Sequence, residues 1–188
     1  GPAKDVSSVE FAEAVIKELI KKSGLKPEQI SEVNLGFCIL AEASMQTDIP
    51  ARQALIRAGL PQTTLSNNLD RACCSSTSAL QLSWKNLTLG EAEISMAIGV
   101  DNMGRWPVIL HPKFRTEGFR IGGLQIIDNL KGLEYKGMGV LAKDAGEVAL
   151  EWGITKEMQD EWAVGSHDKW GKAFDKGYFA EEIFPLEI

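Results

Sequence analysis

The chain has 188 residues, 44% of them apolar and 24% charged, which suits one sizeable soluble core or one domain plus part of another. Its net charge of −6 argues against nucleic acid or an anionic membrane as the main partner. It shows no apolar run long enough to span a membrane, no signal-peptide layout, and three cysteines that make neither a disulfide framework nor a CxxC metal site, so a cytoplasmic, reducing home is expected.

The first predicted element is a helix over Ser7–Ser23. Ser7-x-x-Glu10 has capping-box form, Gly24 can stop it, and Phe11, Ala14, Val15, Ile16, Leu19 and Ile20 make the expected buried side. Pro27 opens a short helical turn. Val33–Leu40 reads as a strand, apolar on both faces toward its end and so interior to a sheet, with Cys38 in the core. Ile49–Gly59 is a helix with Pro at its start and Gly at its end.

Thr63-Thr64-Leu65-Ser66 then reads as a short strand. Ser75–Leu87, with apolar residues at Ala79, Leu80, Leu82, Trp84 and Leu87, reads as a helix with one buried face. Between them lies Asp70-Arg71-Ala72-Cys73-Cys74-Ser75, so two cysteines fall where a strand turns into a helix. A helix N-terminus offers unpaired N–H groups and the positive end of the macrodipole, which favour a nucleophilic thiolate. Cysteine also serves as a small apolar filler, and spacing alone leaves both readings open.

Glu93–Val100 is a third strand, apolar at alternate positions. Alternation of helix and strand to this point predicts a layered α/β fold with parallel strands. After Asp101 the texture changes. Residues 102–137 mix Gly, Pro and aromatics without a sustained period, and Val140–Trp152 and Thr155–Lys176 read as two helices, with Thr155 as N-cap. The expected division is an α/β domain over residues 1–101 and a second, mostly helical domain over 102–188.

Six segments, taken in order, resemble the thiolase family. Gln46–Ala54 with Ala58-Gly59-Leu60-Pro61 is similar to the family's NPARQA…AGLP stretch, and Asp70–Ser75 to its N-R-x-C-x-S nucleophile motif. Leu89–Glu93 through Ala97–Met103 resembles the G-x-A-D…AGG-x-E-x-M strand. Gly137-Met138-Gly139, Ile154–Ala163 and Phe179–Ile183 are similar to segments of the family's loop domain. The departures are Ser76 where the family usually has Gly, Gly137 where many members carry a CoA-contacting His, and a short insertion between Met138 and Ala145. Asp70 and Ser75-Ser76 also lean toward the D-x-A-C-x-S-S pattern of β-ketoacyl synthases.

The resemblance implies an incomplete thiolase-like N-terminal half, layered α/β/α, with an inserted loop domain. It implies an acyl-CoA C-acyltransferase that makes or cleaves 3-ketoacyl-CoA, with Cys73 as the acylated nucleophile and Cys74 a packed neighbour. Met138 and Gly139 would contact substrate, and coenzyme A would be substrate or product rather than a cofactor. No metal is implied. Arg120, Lys136 and Lys143 are possible phosphate contacts, although each also suits a solvated surface.

The family's catalytic His and second Cys come from its C-terminal half, and no GHP-like or CxGGG-like segment occurs here. His111 and His167 read as surface or packed residues. The family's sheet also has a strand before residue 1 and another beyond residue 188. The expectation is therefore a split subunit or a piece of a longer polypeptide, inactive alone. It would assemble as a homo- or hetero-oligomer with a complementary half, members of the family pairing through the strand that leads into the nucleophile. The rival expectations are a non-catalytic thiolase-like subunit and a β-ketoacyl synthase-like condensing enzyme.

Overall fold

The computed structural model describes residues 2–45, 47–119, 121–128 and 141–186. The chain divides into two compact units between Val108 and Ile109.

The first unit is a three-layered α/β/α arrangement. Its elements are α1 (Ser8–Ser23), β1 (Glu32–Gly36), a one-turn α2 (Leu40–Ala43), α3 (Pro50–Arg57), β2 (Leu65–Leu69), α4 (Ser75–Leu89) and β3 (Ser95–Gly99). The strands form a parallel sheet in the order β2-β1-β3, so β1 is interior as expected. Glu32 aligns with Leu65 and Ser95, and Gly36 with Leu69 and Gly99.

Period-two alternation gives β1 two different faces. Val33 and Leu35 join Met96 and Ile98 against Val9, Ala12 and Ile16 of α1 and Ala51, Ala54 and Leu55 of α3, which makes the apolar core. Glu32, Asn34 and Gly36 face α4. The strand is buried throughout, yet it is apolar on one face only, against expectation.

What covers the second face is a polar seam. Asn34 Nδ2 donates to Glu32 Oε1 at 2.9 Å and to Ser83 Oγ at 2.9 Å, and Asn86 Nδ2 donates to Glu32 Oε2 at 2.7 Å. Ser95 Oγ lies 2.7 Å from Glu32 Oε1 and 2.7 Å from Ser83 Oγ. Buried polar groups must find partners, and these have them. The buried residues of α4 are accordingly Ser75, Ala79 and Ser83. Leu80, Trp84 and Leu87 are exposed, the reverse of the expected burial. Residues four apart share a helix face, so the small residues took the sheet side and left the large apolar ones outside.

The remaining elements follow their local signals. The Ser7 capping box forms, with Glu10 N–H donating to Ser7 Oγ and Ser7 N–H donating to Glu10 Oε2 at 2.7 Å, and Gly24 adopts a left-handed φ of 68°. The buried stripe of α1 is Ser8, Val9, Ala12 and Ile16, while Leu19 lies outside it. Pro27–Gln29 is a single 3₁₀ turn. Beyond β3, Arg105 Nε meets the buried Glu42 Oε1 at 2.7 Å, and Asn102 Nδ2 donates to the carbonyls of Ala3 and Val6, which holds residues 102–105 to the first unit.

The second unit contains a two-stranded sheet of β4 (Val108–Leu110, which straddles the division) and β5 (Ile126–Asp128), a short α5 (Lys113–Glu117), α6 (Leu141–Glu151) and α7 (Lys156–Asp175). The two long helices lie where expected. Thr155 Oγ1 accepts the Met158 N–H at 3.3 Å, as an N-cap does. No helix among the described residues is long and apolar enough to cross a membrane.

Candidate active site

All three strands run the same way, so their carboxyl ends come together at one edge of the sheet. In open α/β sheets that edge is where ligands bind. Here it gathers Gly36 at the end of β1 with Cys38 beyond it, Asp70–Cys73 after β2, and Gly99 at the end of β3 with Val100 and Asp101 beyond it.

The turn that carries Cys73 is built by its neighbours. Asp70 Oδ1 accepts the Ala72 N–H at 3.0 Å, and Ser75 Oγ accepts the Arg71 N–H at 2.8 Å. Cys74 N–H donates to the Arg71 carbonyl at 3.1 Å and Ser75 N–H to the Ala72 carbonyl at 3.0 Å. The result is a tight turn in which Ala72 takes a φ of 49°, the only positive φ of a non-glycine among the described residues. That conformation costs a residue with a Cβ about 1 kcal/mol. Cys73, next in the chain, is exposed. Cys74 is the N-cap of α4 and is also exposed, so the expected packed thiol is not found.

Two glycines let the helix start close to the sheet. A Cβ on Gly36 would lie 2.4 Å from the Ser75 carbonyl carbon, and one on Gly99 would lie 2.3 Å from Ser76 Cβ. Ser75 Oγ also reaches the Phe37 carbonyl, 3.1 Å away, and ties the end of β1 to the first turn of α4.

Cys38 is half-buried rather than a core residue, and β1 stops two residues before it. The reason is Asp101. Its carboxylate accepts the Cys38 N–H at 3.2 Å and the Ile39 N–H at 2.7 Å, which turns the chain out of the sheet. Cys38 and Cys73 line the same cleft, at the ends of the neighbouring strands β1 and β2. Burial pushes the Cys38 thiol above its ordinary range, and the charges of Asp101 and Cys73 add to this. Burial also raises the Asp101 carboxyl, against the two N–H donors that lower it.

These residues line an open cleft of about 240 Å³, formed by Gly36, Cys38, Ala72, Cys73, Ser75, Ser76, Gly99, Val100 and Asp101. An exposed thiol held on a strained turn at a helix N-terminus suits covalent catalysis. From sequence Cys38 is expected in the core rather than in a site, and Asp101 carries no expected role. An acidic residue directly after an apolar strand was the one available signal for the second.

Met138 and Gly139, the expected substrate contacts, lie outside the described residues, as do Arg120 and Lys136. Lys143 pairs with Glu147 at 3.6 Å on the exposed side of α6. His111 Nδ1 accepts the Lys113 N–H at 3.1 Å, and His167 is exposed on α7; both belong to the second unit.

A family model described as "Thiolase, N-terminal domain" matches residues 1–188. The chain is 38% identical over 195 aligned residues to the acetyl-CoA acetyltransferase of Cupriavidus necator. It is 33% identical to a probable acetyl-CoA acyltransferase of Staphylococcus aureus. In both comparisons all of this chain is covered and 47% of the relative. The crystal structure of the Bacillus anthracis acetyl-CoA acetyltransferase superposes with a TM-score of 0.89 at 31% identity, again over 100% of this chain and 47% of that one. The chain thus spans about half the length of the relatives it matches.

Proposed function

Because the chain belongs to the thiolase family, we propose that it carries the nucleophile of an acyl-CoA C-acyltransferase that forms or cleaves 3-ketoacyl-CoA. The observation that supports this reading best is the exposed Cys73 thiol on the strained turn at the start of α4.

In the proposed reaction the Cys73 thiolate attacks the carbonyl of an acyl-CoA. The carbon–sulfur bond to coenzyme A breaks, CoA leaves as a thiol, and the acyl group stays on Cys73 as a thioester. A second acyl-CoA loses a proton next to its carbonyl, and the resulting carbanion attacks that thioester. Cys73 is expelled and 3-ketoacyl-CoA is released. Thiolysis is the reverse. Each addition puts negative charge on an oxygen, which requires preorganised N–H donors; the Cys73 backbone N–H is the donor this chain offers.

The acid–base partners of the full reaction would come from outside these 188 residues, as a His and a second Cys from a complementary half or subunit. The described lining of the cleft contains no histidine, and the apolar outer face of α4 at Leu80, Trp84 and Leu87 suits burial against such a partner. Residues 102–188 would serve as the loop domain that holds CoA, with Met138 and Gly139 in contact with substrate. A place in fatty acid metabolism in the cytoplasm follows from the same reading.

The test is mass spectrometry of the chain after exposure to acetyl-CoA or acetoacetyl-CoA. One acetyl group on the Cys73 peptide is expected, lost in Cys73→Ala and kept in Cys74→Ala. A folded chain that takes no acetyl group with or without a complementary half would favour a non-catalytic subunit. Acylation by carrier-protein thioesters alone would favour a β-ketoacyl synthase-like enzyme.

A further inference from the structure

Two thiols meet in the cleft, and the proposed acyl transfer uses one of them. Cys38 and Cys73 follow the neighbouring strands β1 and β2 and line the same open space, and the Cys73 side chain is among the groups that raise the Cys38 thiol. Neither is free to drift. The Phe37–Cys38 peptide is pinned through its N–H to Asp101 and through its carbonyl to Ser75 Oγ, and on the other side of Cys38 the Ile39 N–H is held by Asp101 as well. Cys73 is held between the Ala72 turn and the first turn of α4.

We propose that Cys38 is a resolving cysteine, which closes a reversible disulfide onto Cys73 after a peroxide has oxidised it. Cys73 is the exposed member of the pair and meets the oxidant first. Its thiolate attacks hydrogen peroxide, the O–O bond breaks, and Cys73 becomes a sulfenic acid while hydroxide leaves and takes up a proton as water. The Cys38 sulfur then attacks the Cys73 sulfur. The S–O bond breaks, and the hydroxyl leaves with the Cys38 proton as a second water. Two thiols and one peroxide give one disulfide and two waters, and a dithiol reductant reverses the change.

Cys74 is the nearer sulfur in sequence but the poorer partner. Adjacent Cα atoms are about 3.8 Å apart, below the roughly 4.4–6.8 Å that disulfides span. The Cys74 backbone is also committed at both ends: its N–H donates to the Arg71 carbonyl at 3.1 Å and its carbonyl accepts the Ser78 N–H at 2.9 Å. A Cys73–Cys74 link would break the start of α4.

The consequence for activity rests on the reading of Cys73 as the acylated residue. While the disulfide is closed, Cys73 cannot take an acyl group, and the bond also protects it from irreversible sulfinic acid.

The reduced full chain is treated with equimolar hydrogen peroxide and digested without reductant. Expected is a peptide that joins Cys38 to Cys73, an intact mass lower by two hydrogens, and full reversal by dithiothreitol. In Cys38→Ser the link is absent, and a second equivalent of peroxide carries Cys73 on to sulfinic acid that dithiothreitol does not reverse. As a check independent of oxidation, phenylarsine oxide, which bridges close thiol pairs, binds the wild-type chain and Cys74→Ser but neither Cys38→Ser nor Cys73→Ser. A Cys73–Cys74 link, or sulfinic acid on Cys73 in the wild type at equimolar peroxide, overturns the proposal. A parallel sample is exposed to acetyl-CoA. A disulfide without acetylation would sink the acyl-transfer reading alone, and acetylation without a disulfide would sink this one alone.

Discussion

Gly36 and Gly99 stand opposite each other in the β1–β3 register, and the first turn of α4 occupies the space that side chains on them would fill. The two contacts differ in kind. Gly36 faces the backbone of Ser75 and Ser76, whereas Gly99 faces the Ser76 side chain.

The first prediction follows from that difference. Gly36→Ala and Gly99→Ala each destabilise the chain by about 1–3 kcal/mol, as overpacking does. Combining Ser76→Gly with Gly99→Ala recovers most of the loss, because the opposing Cβ is removed. The same change recovers little with Gly36→Ala, whose clash is with main chain. Urea unfolding of the wild type, the three single variants and the two doubles measures the coupling. Equal rescue of both glycines would contradict the geometry.

Ala72 supplies the second. Its φ of 49° tolerates glycine and penalises a branched Cβ. Ala72→Gly is expected within about 1 kcal/mol of the wild type, since relieved strain and added chain entropy oppose each other. Ala72→Val is expected to cost roughly 2 kcal/mol and to slow acetylation of Cys73. Thermal unfolding and the labelling rate check both. A valine variant as stable and as reactive as the wild type would refute the strain.

The third concerns pH. Because burial, Asp101 and Cys73 raise the Cys38 thiol above its ordinary 9.0, less of it is thiolate at any pH below that value. Iodoacetamide labelling of Cys38, followed by peptide mapping, should therefore reach half its maximum rate above pH 9.0. Asp101→Asn removes one of the opposing charges and should shift that midpoint downward. A midpoint at or below the ordinary value would rule the effect out.

Glu10 gives a stability test with the opposite sign. Its backbone and side-chain hydrogen bonds with Ser7 lower its pKa from 4.5, so the ionised form is favoured by folding. The stabilisation is fully present above 4.5 and is lost as the pH falls through the lower folded value. Glu10→Gln keeps the capping-box geometry and removes the charge. It should cost about 0.3–1 kcal/mol at neutral pH, and the gap should narrow as the pH falls below 4.5. A gap that is constant with pH would assign the loss to packing.

The exposed side of α4 carries the fifth. Leu80 is 62% exposed and Trp84 is 64% exposed, a large apolar surface on one helix face. Sedimentation of the purified chain should show concentration-dependent association, reduced by Leu80→Lys with Trp84→Lys. A monodisperse monomer that turns over acetoacetyl-CoA without help would refute both the association and the need for a partner.

Local signals were legible in the sequence wherever they were self-contained. The Ser7–Glu10 capping box, Gly24, Pro27, Pro50 and Thr155 each act within one turn, and each lies where its chemistry put it. The strand-to-helix turn at Cys73 was legible for the same reason. Burial was less so, because it depends on which elements meet. The apolar spacing of α4 pointed to a buried Leu80 and Trp84, but the sheet face it covers is polar and close, and it takes Ser75, Ala79 and Ser83 instead. The fate of Cys38 depended on Asp101, sixty-three positions away, capturing two backbone N–H groups. No pattern within either segment carries that information.

The polar seam between the sheet and α4 works as a length gauge. An apolar interface is forgiving, since a helix can slide by part of a turn and still bury oil against oil. Here a slide would leave the Glu32 carboxyl group without Asn86 and Asn34 without Ser83, at about 1–3 kcal/mol for each stranded group. The bonds at Ser83 and Asn86 thus decide how far the tip of α4 reaches past the ends of the strands. The position of a reactive sulfur at one end of the helix is set by a hydroxyl and an amide about three to four turns away.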